Sequence, residues 1–295
     1  MNYTCYRGTV DIDGDLDKAA WASAPQTPRF AESGKLAFLD TRAALLWDDD
    51  CLYAAFWLEE RDVWSRGEQR QGMQWQDNAA GLCIACKGAY YTLAVMPTGR
   101  RDEMFYIWKD AYARGGRYDV ADFDLADQEP AVLGGDGGPH HWRGMRWAFF
   151  DWTLPGLETA VQIDGTLDQR HEIDRGWRVE MALPWAGLAH LADGPLPPQD
   201  GDVWRIGLLR HQLVDQRLQC FATTWTPYPM GEGIHVPEDC QQDDTSISYL
   251  KQLYERVEEA CAKPDATGCP KGDEGLAGWT AVCVALITDP EFMAY

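Results

Sequence analysis

RAALLW (42–47), DDD (48–50) and CLYAAFWL (51–58) decide the fold. Two apolar runs of strand length flank an acidic turn, which is the pattern of a β-hairpin. A second hairpin reads from GLCIAC (81–86) and AYYTLAVM (89–96), where Gly88 is expected to supply the positive φ of a two-residue loop. Further strands are expected at MFYIW (104–108), ETAVQI (158–163), GWRVEMAL (176–183), DVWRIGLL (202–209) and CFATTW (220–225). Many short strands divided by Gly, Pro and Asp imply an all-β chain, an antiparallel β-sandwich of jelly-roll or immunoglobulin-like type over residues 1–242.

Elsewhere the alternation fails. Tyr118 to Trp152 is expected to be a long surface loop, and PWAGLAHL (184–191) a short helix. After Asp244, Tyr249, Leu250, Leu253, Tyr254 and Val257 share one helical face, as do Leu276, Trp279, Cys283, Leu286 and Ile287. Residues 243–295 are therefore expected to form a two-helix C-terminal extension. Cys261 and Cys269 would pair in an oxidising compartment and stay thiols otherwise.

The formal charge is −21, from 26 Lys and Arg against 47 Asp and Glu. Such an acidic surface repels phosphate backbones and anionic headgroups, which argues against nucleic-acid and membrane-surface roles. No run approaches the roughly 18 apolar residues of a membrane span, and no secretion signal begins the given chain. If Met1 is the native start, a cytoplasmic location follows. Fourteen Trp, beside 12 Tyr and 9 Phe, supply rings for a core or for ligand stacking.

Signatures of a hydrolase elbow, a zinc protease, a dinucleotide fold or a P-loop are missing. Cys83 and Cys86 spell CxxC but fall on a strand, where residues three apart face opposite sides. Asp11, Asp13, Asp15 and Asp17 surround Gly14 without EF-hand spacing and read as a solvated acidic turn, with a non-EF calcium site as the alternative. The echo of VDIDGDLD (10–17) in VQIDGTLD (161–168) reads as two similar β-turns, in which Asp bonds its own backbone and Gly takes positive φ. Met73, Met96, Met104, Lys109 and His141 are conceivable haem ligands that no spacing singles out.

IDGDLDKAAW (12–21), LLWDDDCLYAAFWLEERDVW (45–64), WQDNAAGLCI (75–84), GLETAVQIDGTLDQRHEIDRGWRVEMALPW (156–185), PPQDGDVWRIGLLRH (197–211), TTWTPY (223–228) and GIHVPED (233–239) run in one order. Over residues 3–240 the chain resembles the family 9 carbohydrate-binding modules and their DOMON-like relatives. The resemblance implies a non-catalytic β-sandwich that binds polysaccharide or oligosaccharide, often calcium-stabilised, extracellular or periplasmic. It implies Trp75 as a stacking platform, Asp77, Asn78, Arg101 and Arg210 as hydroxyl partners, and Trp225 and His235 near the rim.

This chain departs from the family's pattern where Gly81 replaces an expected glutamate, and where Thr92, Ala94 and Met96 occupy a strand that carries acids and amides in relatives. A sugar hydroxyl facing apolar side chains leaves hydrogen bonds unmade, at about 1–3 kcal/mol for each buried polar group. Either the ligand differs or something apolar covers this face, and the C-terminal helices, which must bury their apolar stripes, are expected to pack on the sandwich there. Two further readings follow. One is a structural or interaction module whose degenerate sugar site is filled by the tail or a partner protein; the other is the haem-binding redox branch of the same superfamily.

Overall fold

The computed structural model describes residues 3–32, 35, 36, 38–65, 77–134, 145–169, 171–214 and 217–222. The expected helices over 243–295, with Cys261 and Cys269, lie outside the described residues. Two sheets carry the fold. In the first, β1 (Tyr6–Arg7) pairs parallel with β4 (Thr41–Trp47), and β5 (Cys51–Glu59), β12 (Gly176–Pro184) and β11 (Glu158–Asp164) follow antiparallel.

The second sheet has nine described strands, all antiparallel. One half is β2 (Ala31–Glu32), β3 (Lys35–Leu36), β14 (Arg217–Ala222) and β13 (Arg205–Val214). Continuing from β13 come β6 (Ala79–Ala85), β7 (Ala89–Val95), β8 (Arg101–Trp108), β10 (Met145–Phe149) and β9 (Ala131–Gly134).

The facing sides form the main core. Phe56, Leu58, Trp177, Val179 and Met181 come from the first sheet, and Ile84, Tyr91, Leu93, Phe105, Ile107 and Leu208 from the second. Alternation along each strand sends the other residues outward, yet those outward sides are also buried. On the first sheet Val10, Leu16, Trp21 and Ala24 of the N-terminal segment pack over Ala44, Leu46, Tyr53 and Ala55.

Glu180 of β12 fixes that segment. Its wholly buried carboxylate accepts from the backbone N–H groups of Asp13 (3.0 Å) and Gly14 (2.7 Å), from Lys18 Nζ (2.8 Å) and from Trp21 Nε1 (2.6 Å). Gly14 sits at φ 90° against Val161 and Gln162, and Asp13 and Asp15 accept from backbone N–H groups two residues on, as the acidic-turn reading expects. The echo at 161–168 is only half alike. Gly165 also has positive φ, but its turn is tied by Asp174, which accepts from Thr166 N.

Both expected hairpins form with the boundaries close to those read from sequence. Cys83 faces outward and Cys86 faces the core, where it contacts the Tyr118 hydroxyl at 3.3 Å. Three expectations need correction. Gly88 does not take positive φ; a Cβ there would meet Ala111 at 2.8 Å and the Tyr118 ring at 3.1 Å, so close approach requires glycine. PWAGLAHL forms turns and a short 3₁₀ segment, Ala189–Leu191, rather than an α-helix. The 118–152 stretch is not simply loop: β9 and β10 lie in it and extend the second sheet, and Tyr118 and Phe123 enter the core.

Glu180→Ala should cost about 3–5 kcal/mol, because it leaves three N–H donors without an acceptor and takes from Lys18 its buried carboxylate partner. Urea unfolding would measure it, and Glu180→Gln, which keeps one carbonyl acceptor, should lose less.

Candidate functional site

The resemblance places a ligand on the outward side of the second sheet. Along β6, β7 and β8 that side carries Cys83, Tyr90, Thr92, Ala94, Asp102, Met104, Tyr106 and Trp108, with Met96 just past β7. Every one of these is buried. Ala94 pairs with Gly81, and Gly81 with Leu209. A Cβ at Gly81 would stand 2.8 Å from Leu209 Cδ1 and 2.8 Å from Leu93 O, so Leu209 fills the place where a longer side chain would stand. The lost polar rungs are thus replaced by packing.

At one end of this face, Tyr90 and Tyr106 stack with ring centroids 4.4 Å apart. The Arg146 guanidinium lies 5.4 Å from the Tyr106 centroid, 5.6 Å from Trp108 and 5.9 Å from Tyr90. Its Nε and Nη1 are buried without a hydrogen-bond acceptor, so the rings are its counterpart. At the other end Arg100 bonds Asp102 (2.8 Å) and lies 3.6 Å from Asp77. Burial holds the Asp102 carboxyl above its usual range; Arg100 opposes the shift and Asp77 adds to it. Asp102 Oδ2 and Thr92 Oγ1 are buried without partners. Sequence reading missed Arg146 and Asp102, although each occupies an outward position in an alternating run, MRWAF or RDEMFYIW.

Of the expected ligand residues, Trp75, Trp225 and His235 lie outside the described residues. Asp77 and Asn78 stand together at the entry to β6 and are both buried. Asp77 accepts from Ser65 Oγ (2.7 Å) and from the Asn78 N–H, while the Asn78 amide donates to Trp64 O (2.9 Å). Arg101 is on the rim, donating to Leu157 O at 2.9 Å. Arg210 is elsewhere, between the sheets and wholly buried. It makes five bonds, to Gln212 Oε1 twice (3.0 and 2.6 Å), Thr41 Oγ1 (2.9 Å), Glu59 O (2.8 Å) and Glu60 Oε2 (3.0 Å). Burial lowers its pKa to about 10, against the pull of Glu60. All its donors are engaged inside the protein, so the described geometry makes Arg210 a bolt between sheets.

Segment 63–65, which leads toward Asp77, is itself pinned. Asp174 accepts from Val63 N (2.7 Å) and Thr166 N (2.7 Å), and Asp168 accepts from Ser65 N (3.0 Å). Among the described residues no three His, Cys, Asp or Glu side chains converge as a metal site, and Asp13 is ion-paired with Lys18. Of the conceivable haem ligands, Met73 and His141 lie outside the described residues. Met96 and Lys109 stand at opposite ends of the β7–β8 hairpin, and Met104 is buried on its outward side. Among the described residues no helix is long and apolar enough to cross a membrane.

No family model and no curated protein matches the chain. Solved structures similar to it include a family 9 carbohydrate-binding module from Caldicellulosiruptor kristjanssonii. In complex with cellotriose it is 11% identical with a TM-score of 0.41, covering 74% of this chain and 80% of that one. In complex with glucose it is 11% identical with a TM-score of 0.39, covering 74% and 82%. A candidate carbohydrate-binding protein from Bacteroides uniformis is 12% identical with a TM-score of 0.49, covering 79% and 94%.

The Asp174 hydrogen bonds carry a pH dependence. Burial acts to raise its pKa, but bonds from Val63 and Thr166 outweigh it and the folded value is lowered. A lowered acid stabilises the fold above the unfolded value of about 3.9 and loses that contribution as pH falls through the folded value. Urea unfolding from pH 6 to pH 2 should therefore show a steeper loss of stability below about pH 4 in the parent than in Asp174→Asn.

Proposed function

We propose that this chain is a non-catalytic carbohydrate-binding domain acting outside the cytoplasm on a polysaccharide or oligosaccharide. One observation carries the reading: the stretches that resemble family 9 carbohydrate-binding modules meet in space. IDGDLDKAAW is fastened to GWRVEMALPW through Glu180. Arg210 of the GLLRH stretch bonds Glu60 of LEERDVW, and Asn78 of WQDN donates to Trp64 of the same stretch. Motifs scattered along the sequence are thus joints of one scaffold. In this reading Trp75 supplies a stacking face, Trp225 and His235 line the rim, and no residue has a catalytic role.

A second reading has its own support. The outward side of the second sheet is buried and mostly apolar, with Thr92, Asp102 and Arg146 as its polar members, as an interaction module with a filled sugar face would require. The two diverge in a titration of tryptophan fluorescence with neutral and acidic oligosaccharides, with and without calcium. The carbohydrate reading expects a saturable change with at least one sugar and no release of reducing ends from it. Silence toward every sugar in a folded protein would leave the interaction module.

A further inference from the structure

One open concavity bordered by described residues lies away from the covered face. It lies at the edge of the second sheet, where the end of β10 meets the 122–131 and 150–155 segments, and has a volume of about 310 Å³. That is the lower end of the roughly 300–1,000 Å³ of small-ligand pockets, the size for one or two sugar rings. Its polar lining is Asp122, Gln128, Glu129, Asp151 and Thr153, and Phe150 and Trp152 add ring edges and faces.

Three features give this cavity a ligand chemistry. First, Glu129, Asp151 and Thr153 are exposed and make no side-chain hydrogen bond among the described residues, in contrast with Asp77, Asn78 and Arg210, whose groups are engaged internally. Secondly, the carboxylates of Asp122, Glu129 and Asp151 border the one cavity, so hydrogen-bond acceptors surround its space. Thirdly, the wall is rigid: Trp152 packs against Tyr91, Phe105 and Phe123 with centroids 5.4, 4.9 and 6.3 Å apart.

We propose that this cavity binds a neutral sugar, its hydroxyls donating to Glu129, Asp151 and Thr153 over the Phe150–Trp152 wall. The choice of a sugar rests on the carbohydrate reading above; the location does not. Acidic sugars are disfavoured because the ligand's carboxylates would face three others on a chain of net charge −21.

The test is isothermal titration of the full chain with cellotriose, xylotriose, mannotriose, trigalacturonate and a lysine tripeptide. The variants are Glu129→Gly, Asp151→Ala and Thr153→Val, with Val203→Ala at an exposed position as the control. Glu129 sits at φ 44°, which glycine adopts without strain, so Glu129→Gly removes the carboxylate with the fold retained; thermal unfolding of each variant checks that. The proposal expects a neutral trisaccharide to bind, at least tenfold loss in Glu129→Gly and Asp151→Ala, a smaller loss in Thr153→Val, and affinity within twofold of the parent in Val203→Ala. Parent-like binding by the cavity variants would overturn the location and leave the carbohydrate reading standing. Preference for trigalacturonate or for the lysine peptide would overturn the ligand class. No binding of any sugar by the parent would overturn both readings together.

Discussion

A sheet buried on both sides constrains everything else in this protein. In an ordinary sandwich each sheet gives one side to the core and one to water, so its strands alternate apolar and polar. Here β6 and β7 are buried along nearly their whole length, and β8 from Asp102 onward. Any polar group on the outward side must then find a partner within the protein or lose hydrogen bonds to water. The side chains found there are the consequence: Cys83, Ala94, Met96, Met104 and two stacked tyrosines, with Leu209 laid across Gly81. Arg146 is tolerated because three aromatic rings surround its guanidinium.

The same constraint explains where the buried charges sit. Glu180 and Arg210 each lie where a loop or a second sheet must be fixed to a strand, and each is bonded through almost all its polar atoms. A buried ion so surrounded adds little net stability over an apolar replacement, but it is costly to leave half-paired. Its effect is therefore to select one geometry: Glu180 determines how the N-terminal segment covers the first sheet, and Arg210 sets the spacing of β13 against β4 and β5. Packing alone, being non-directional, would allow both to slide.

Much of this was legible in the sequence because it is local. Period-2 alternation and Asp-rich turns placed the β4–β5 and β6–β7 hairpins, and the odd spacing of Cys83 and Cys86 put them on opposite sides. β9 and β10 were not legible: they are four and five residues long, set in a Gly- and Asp-rich stretch, and only the pairing of β10 with β8 and of β9 with β10 makes them strands. The roles of Arg210 and Asp77 were equally out of reach. Whether an arginine meets a sugar or a neighbouring glutamate depends on which side of β13 it faces and what the other sheet brings there. Gly88 illustrates the same point, since the sequence shows a turn glycine but not the Tyr118 ring that excludes a Cβ.

A resemblance built from motifs is only as informative as what those motifs do. In this chain Glu180 and Trp21, Glu60 and Arg210, and Trp64 and Asn78 lie in resembling stretches and bond one another across the fold. They are joints, and a chain keeping them keeps the sandwich whatever it binds. The ligand-facing positions obey different physics, because nothing in the scaffold requires Gly81 or Ala94 to be polar. Once that face is covered, burial favours apolar side chains there, and hydrogen-bonding groups free to meet a ligand are left at the sheet's edges. Glu129, Asp151 and Thr153 stand at such an edge. The scaffold and the site can therefore part company within one domain, with the motifs reporting the first and the unengaged polar groups the second.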